Sequence, residues 1–322
     1  MIGRRAFPAT MLATSAQALA QAPARSARIA IVSPGQLTID LNRAALRMEL
    51  GRAGFVEGRN LQIIGYSAEG DIGKIPGIAA AAVAQRPDVI IAVSNPVALA
   101  IRALDQATPI VMSFAGSDPV ADRLAASLAR PGGSVTGIVM LSEELDLKRI
   151  ELAREAFPRS GRLGFLAGTS YPADRVARLS AAAQALGIEL LTVRAQGPDS
   201  YPSAFRRLGE LGVAALVISS SPGFHAEAAN LAQHARQASL PTVCELRSMA
   251  EAGCLLSLGV QDGELRRRVA AYVLRILRGE APGNLPMDRA ERFELVVNAR
   301  AARPFGLELP VLVLARAELV IE

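Results

Sequence analysis

The sequence contains few of the residues that most often act as bases, nucleophiles or metal ligands. Only two histidines, His225 and His234, and two cysteines, Cys244 and Cys254, occur among 322 residues. A structural zinc ion takes four protein ligands, and a catalytic one usually takes three. Because the two cysteines are well separated and no further histidine is available, the sequence predicts no metal site.

Several motifs of enzymes and nucleotide-binding proteins are also missing. The chain has no G-x-G-x-x-G after its first strand-like segment, no G-x-x-x-x-G-K-[ST] and no G-x-S-x-G. It therefore lacks the signatures of phosphate-binding loops and of serine hydrolases with a nucleophile elbow. We accordingly expect no cofactor.

Long apolar runs and basic patches are absent as well. No uninterrupted apolar stretch approaches the eighteen residues that indicate a membrane-spanning helix. The formal charge of +5 comes from scattered arginines, and the densest cluster, residues 266–268, fits the solvated face of a helix. No basic patch is interleaved with aromatic residues, so we expect neither a membrane span nor a nucleic-acid partner.

The apolar residues that are present favour one fold class. They make up 51% of the chain, but aromatic residues contribute only 4% and tryptophan is absent. A core of Ala, Val, Leu and Ile is typical of α/β proteins, whose parallel strands are buried on both faces.

The N-terminal segment has the three-part layout of a secretory signal. A charged start is followed by a mildly apolar middle and by an A-x-A site at residues 18–20. We predict a signal peptide over residues 1–20 and a periplasmic location. Arg4-Arg5 resembles a twin-arginine start, although the Sec route stays open. No cysteine lies near the predicted cleavage site, so lipidation is not expected. In an oxidising compartment Cys244 and Cys254 could form a disulfide, and the sequence does not decide whether they do.

Strand-like and helical segments alternate twice in the same order. Residues 28–113 read as β-α-β-α-β-α-β, and residues 162–245 repeat that order. Alternation of this kind argues for parallel sheets covered by helices. The predicted fold is therefore α/β, with two similar Rossmann-like lobes. A helical tail is expected at the C-terminus.

Short polar residues follow the predicted strands in both copies. Ligands of open α/β sheets bind outside the carboxyl ends of the strands, and hydroxyl groups can both donate and accept hydrogen bonds. The predicted ligand-binding residues are Ser33, Ser94, Asn95, Ser113, Ser117, Asp118, Tyr171, Ser220, Ser221 and Glu245. Each serine at a strand end could instead be an ordinary turn or cap residue.

The loop at residues 113–119 carries the sharpest of these predictions. Asp118 and Pro119 precede a helical pattern, in the positions of an N-cap and a first helical residue. Asp118 could be only a cap, or it could also accept a hydrogen bond from a ligand ammonium group. His225 lies near the predicted cleft and is a weaker candidate for ligand contact.

Several segments together resemble a known family. They are IVSPG, GFVEGRNLQI, SDPVADRLAASLARPGGSVTGI, LDLKRIEL, EAGCLLSLG and RFELVVNARAARPFGL. The chain resembles the solute-binding proteins of ABC transporters with the type I periplasmic-binding-protein fold, in the branch that includes tryptophan- and tyrosine-binding proteins. The resemblance implies three crossovers between two lobes, with lobe 1 at residues 28–137 plus 258–283 and lobe 2 at residues 138–257 plus 284–322.

The expected function follows from the export signal, the duplicated lobes and the polar strand ends. We expect a monomer that binds a small polar solute, such as an amino acid, and passes it to the permease subunits of an ABC importer. An exported enzyme that uses Asp118 or Glu245 as acid or base in the same cleft is the alternative. A cytoplasmic ligand-sensing regulator is disfavoured by the predicted signal. The sequence leaves the identity of the solute and the oligomeric state open.

Overall fold

The computed structural model describes residues 26–140, 142–158, 161–168, 171–195 and 197–322. The predicted signal peptide lies outside these residues. The described chain forms two β-sheets with helices packed against them.

The first sheet has six strands in the order β11-β5-β4-β3-β1-β2, and all its pairings are parallel. Its strands are β1 (Ala27–Ser33), β2 (Leu61–Ser67), β3 (Val89–Val93), β4 (Ile110–Ala115), β5 (Val135–Val139) and β11 (Asp288–Arg289). The helices between its first four strands are α1 (Gln36–Gly51), α2 (Ile75–Ala84) and α3 (Asn95–Leu104).

The second sheet has seven strands in the order β13-β12-β10-β9-β8-β6-β7. Only the β10–β12 pair is antiparallel among its described pairings. Its strands are β6 (Arg162–Gly168), β7 (Glu189–Ala195), β8 (Ala215–Ile218), β9 (Thr242–Cys244), β10 (Leu256–Val260), β12 (Phe293–Asn298) and β13 (Leu319–Ile321). The remaining helices are α4 (Ser142–Ala156), α5 (Ala173–Ala185), α6 (Tyr201–Glu210), α7 (Pro222–Ala226), α8 (Ala228–Gln237), α9 (Arg247–Glu251), α10 (Asp262–Leu277), α11 (Ala299–Ala302) and α12 (Val311–Ala315).

The chain passes between the two sheets three times, after β5, after β10 and after β11. Two mostly parallel sheets, helices and three passages confirm the predicted α/β fold class. Helix α10 returns to the first sheet, where it packs against α1 and β4. The exact bounds of the two lobes stay a prediction.

The central strands explain why the sheets are parallel and covered on both faces. In β3 every residue is buried, and in β1 the run Ile29, Ala30, Ile31 and Val32 has no exposed surface. Such strands have no polar face to turn toward water, so helices must cover both sides. Alternate residues of β1 accordingly enter two different core clusters.

Two local predictions are wrong. The helix predicted after Asp118 does not form, and residues 119–123 make turns instead. Arg123 has φ +57°, a left-handed conformation that a regular right-handed helix cannot contain. The C-terminal tail is helical only in part, because its end forms β13 along the edge of β12. Cys244 and Cys254 are both buried free thiols.

Candidate functional site

A cavity of about 180 Å³ lies where the carboxyl ends of the two sheets face each other. An engineered protein cavity of about 150 Å³ binds benzene, so a small molecule of that order fits here. The first wall comes from the first sheet and consists of Ser33, Pro34, Gly35, Thr38, Val93, Ser94, Asn95, Pro96, Phe114, Gly116, Ser117 and Met140. The second wall consists of Gly168, Tyr171, Pro172, Arg175, Ser220, Ser221, His225 and Leu246.

Seven of the ten predicted ligand-binding residues line this cavity. They are Ser33, Ser94, Asn95, Ser117, Tyr171, Ser220 and Ser221. The three others do not line it. Ser113 is fully buried within β4, and Glu245 is buried behind the second wall. Asp118 is exposed, and its Oδ1 accepts a hydrogen bond from Val120 N at 2.8 Å, as expected for a turn residue.

The polar groups of the first wall form a small network centred on Asp122. Its Oδ2 accepts hydrogen bonds from Asn95 Nδ2 at 2.7 Å and from Ser117 Oγ at 2.8 Å. Asn95 Nδ2 also reaches the Ser117 carbonyl oxygen at 3.2 Å. Asp122 thus fixes the orientation of two cavity-lining side chains. In contrast, the Ser33 hydroxyl is engaged in its own turn with Gly35.

The backbone of the first wall adopts two unusual conformations. Ser94 has φ 100° and Phe114 has φ 57°, in regions that non-glycine residues rarely occupy. Ser94 N donates to Ser113 O at 3.0 Å, which ties the two strand ends together. The buried hydroxyl of Ser94 has no hydrogen-bond partner among the described residues. Strained residues and unpaired buried polar groups concentrate at ligand-binding sites.

A chain of buried charged groups supports the second wall. Tyr171 donates its hydroxyl proton to Asp146 Oδ2 at 2.5 Å, and Arg149 Nη1 contacts Asp146 Oδ1 at 2.6 Å. Arg149 Nη2 lies 3.2 Å from Glu245 Oε1, and His225 Nε2 lies 2.6 Å from Glu245 Oε2. The side chains of Asp146, Arg149 and Glu245 have no exposed surface. Both ends of this chain, Tyr171 and His225, line the cavity.

The two carboxyl groups of this chain respond differently to burial. Burial alone would raise the pKa of Glu245, but the Arg149 guanidinium and hydrogen bonds from His225 and Ser220 hold that pKa at about 2. Burial raises the pKa of Asp146 despite the opposing effects of Arg149 and Tyr171. Glu245 is therefore the firmly ionised carboxylate of the chain.

The two walls contact each other at two points. Arg175 lies over the Tyr171 ring, with its Cζ 5.3 Å from the ring centroid, and its Nη2 donates to Gly116 O on the first wall at 3.4 Å. At another point Gly35 approaches Ala226, since a Cβ added to Gly35 would lie 2.8 Å from the Ala226 Cβ. These contacts enclose the cavity between the walls.

Sequence reasoning missed several groups that shape this site. Asp122 and Arg149 lie behind the walls and are joined to them by contacts between distant segments. Arg175 resembles the many other arginines of the chain, and no local motif distinguishes it. His225, a candidate for ligand contact in the sequence, lies on the second wall.

No helix in the described ranges is both long and apolar enough to cross a membrane. Comparison with known proteins adds independent information. The tyrosine-binding protein of Clostridioides difficile (strain R20291) is 24% identical over 264 residues, which cover 79% of this chain and 73% of that protein.

Two solved structures share the fold over 92% of this chain and 100% of their own length. One is a conserved domain protein from Vibrio cholerae, with 28% identity and a TM-score of 0.83. The other is an ABC domain in complex with L-Trp from Streptococcus pneumonia, with 21% identity and a TM-score of 0.82. The model of the family described as ABC transporter substrate binding protein matches residues 30–321. Since this match spans nearly the entire chain, the protein belongs to the family of ABC transporter substrate-binding proteins.

Proposed function

We propose that this protein is the solute-binding component of an ABC importer. It binds a small polar solute, such as an amino acid, in the cavity between its two walls and delivers it to the permease in the membrane. The observation that carries this proposal is the cavity itself, whose two walls come from different sheets and combine apolar surface with hydroxyl and amide groups. A few directed polar groups in an apolar cavity are typical of small-molecule sites.

The relatives support an amino acid as the class of solute. One is named a tyrosine-binding protein, and another was solved in complex with L-Trp. The cavity of about 180 Å³ and the small polar side chains that line it are compatible with a compact solute. Import also fits the predicted signal peptide, periplasmic location and monomeric state.

Ligand binding by this protein includes a closing motion. The walls belong to elements of two sheets that are linked by three passages of the chain, and such segments can act as hinges. The contact between Gly35 and Ala226 would be made when the walls approach each other and lost when they separate.

The enzyme alternative has less support. A general acid or base must come within hydrogen-bonding distance of the reacting group, but neither Asp118 nor Glu245 lines the cavity. Glu245 has an ionic or hydrogen-bonding partner at each oxygen. Incubation of the protein with its solute should return the solute chemically unchanged.

A melting-temperature screen against a library of amino acids and related small solutes tests the proposal. A solute at one hundred times its Kd stabilises the folded state by about 2.7 kcal/mol, which raises the melting temperature by a few degrees in a protein of this size. At least one solute should give such a shift. A library in which no solute does so would contradict the proposed function.

A further inference from the structure

His225 holds a position that distinguishes it from the other histidine. It lies in α7, its side chain is 13% exposed, and it is one of the residues that line the cavity. His234 instead stacks on Phe205, with ring centroids 5.7 Å apart, and contacts the Tyr201 ring edge-on. His225 therefore has access to a solute in the cavity, whereas His234 packs against aromatic side chains in the second half of the chain.

The contact with Glu245 determines which nitrogen of His225 carries the proton. His225 Nε2 lies 2.6 Å from Glu245 Oε2, and Arg149 Nη2 lies 3.2 Å from the other oxygen. A carboxylate with a guanidinium at one oxygen is ionised and can only accept hydrogen bonds. Nε2 must therefore be the donor. In the neutral imidazole this leaves Nδ1 without a proton and able to accept.

The second ring nitrogen of His225, Nδ1, is not fully buried and has no partner among the described residues. Because His225 lines the cavity, we infer that a solute there can reach this nitrogen.

The carboxylates near the site have other partners. Asp122 accepts from Asn95 and Ser117, Glu245 is held by Arg149 and His225, and Asp118 is an exposed turn residue outside the cavity lining. A solute with an N–H donor thus meets a neutral acceptor on the second wall and no carboxylate side chain among the described lining residues.

We propose that Nδ1 of His225 is a specificity-determining acceptor, which receives a hydrogen bond from an ammonium group of the solute. Glu245 and Arg149 are positioning residues that fix the ring and its tautomer. This proposal rests on the proposed function. It assigns the binding of the solute's donor group to His225 on the second wall instead of to Asp118 in the loop after β4.

The opposite arrangement would be an imidazolium that binds an anionic group. Four charged groups bear on this choice: Glu245 at Nε2, Arg149 and Asp146 behind it, and Arg175 on the same wall. The protonation state of the ring separates the two arrangements, and it can be measured without knowing the solute.

The first experiment is an ¹⁵N spectrum of the full protein labelled at the histidine rings, recorded at neutral pH. Only two ring systems contribute, and the His234→Gln variant identifies which signals belong to His225. We expect a neutral ring with the proton on Nε2 and an unprotonated Nδ1. A ring protonated on Nδ1, either as the other tautomer or as an imidazolium, would overturn the proposal.

The second experiment compares solutes with and without the donor. L-tyrosine is paired with desaminotyrosine, and L-tryptophan with indole propionic acid, together with matched pairs for any other solute that raises the melting temperature. The solute with the N–H donor should bind about ten- to a hundredfold more tightly. His225→Phe should abolish this preference, and His234→Phe should retain it.

Equal affinities within each pair of solutes would overturn the proposal. Binding of no solute at all would contradict the proposed function, but the ¹⁵N spectrum would still decide whether Nδ1 is an acceptor. The two failures are therefore distinguishable. Since the spectrum uses the wild-type chain, it does not depend on the folding of the His225→Phe variant.

Discussion

The polar side chains of the two cavity walls are held in place by different kinds of interaction. The first wall uses neutral hydroxyl and amide groups close to the strand ends, organised by one half-buried carboxylate, Asp122. The second wall rests on a fully buried chain of charges that includes Asp146, Arg149 and Glu245. The first arrangement tolerates water, whereas the second depends on complete pairing, because an unpaired buried charge is very costly.

The largest expected effect comes from removing the shared cation of the second wall. Arg149→Met leaves Asp146 and Glu245 buried without their counter-ion, so we expect a loss of about 3–5 kcal/mol in the free energy of unfolding. Urea denaturation measures it. The matched control is Arg207→Met, which breaks an exposed pair of the same i,i+3 spacing and should cost less than about 1 kcal/mol. Similar losses in both variants would contradict the expectation that the buried ion pair contributes more to stability than the exposed one.

The second expected effect is a pH dependence that originates in the second wall. The pKa of Glu245 is about 2 in the folded protein, below the ordinary glutamate value of 4.5. The folded state thus binds this proton less tightly, and the resulting stability is present above pH 4.5 and is lost as the pH falls toward 2. The difference corresponds to roughly 3 kcal/mol.

Denaturation of the wild type and of Glu245→Gln at several pH values between 4.5 and 2 tests this effect. The free energy of unfolding should fall more steeply in the wild type, because the glutamine does not titrate. Burial raises the pKa of Asp146, so that residue contributes with the opposite sign. The Glu245 charge adds to this rise, so Glu245→Gln also reduces the contribution of Asp146. Parallel curves would mean that Glu245 is not held ionised by its partners.

A smaller effect is expected in the first wall. Asp122→Ala deprives Asn95 Nδ2 and Ser117 Oγ of their common acceptor, and we expect a loss of about 1–3 kcal/mol in the free energy of unfolding. Asp122→Asn keeps an acceptor oxygen and should recover most of that stability. If Asp122→Ala destabilised the protein as much as Arg149→Met, the proposed contrast between the walls would fail.

The sequence predicts those site residues that directly follow a strand, but not those that are brought together by packing between distant segments. Ser94, Asn95 and Ser117 follow strands directly, so the alternation of strands and helices was sufficient to bring them to one cavity. Arg149 and Glu245 are far apart in the chain, and their pairing depends on how α4 packs against the second sheet. No local pattern contains that information.

Asp118 is a residue for which the local sequence pattern predicted the wrong conformation. Its neighbours Ser117 and Pro119 fit a helix start, but the chain turns at Arg123 and the helix is not formed. The carboxyl group that organises the first wall is Asp122, inside the segment that the sequence predicted to be helical. The loop at residues 113–119 contributes Ser117 to the cavity lining, but Asp118 lies outside it, because the turn that replaces the predicted helix directs Asp122 rather than Asp118 to the first wall.

The smallest expected effect is that of Asp118→Asn. Since the Asp118 carboxylate accepts one hydrogen bond from Val120 N in an exposed turn, asparagine can replace it there. We expect the free energy of unfolding to stay within about 0.5 kcal/mol and the solute affinity to stay the same. A tenfold loss of affinity in calorimetric titration, with the fold intact, would indicate that Asp118 binds the solute's ammonium group after all.

We propose that the solute binds between the two walls as they close. This can be tested by calorimetric titration of Gly35→Leu with the solute that gives the largest melting shift. The Gly35 backbone is extended and accepts a side chain, but an added Cβ would lie 2.8 Å from the Ala226 Cβ of the opposite side. Gly51→Leu, at the other end of α1, is the control, because its added Cβ has no heavy atom within 4 Å apart from its chain neighbours and the backbone of its own helix. We predict at least a tenfold increase in Kd for Gly35→Leu, about 1.4 kcal/mol, and no change for Gly51→Leu. Equal affinities in the two variants would contradict binding between closing walls.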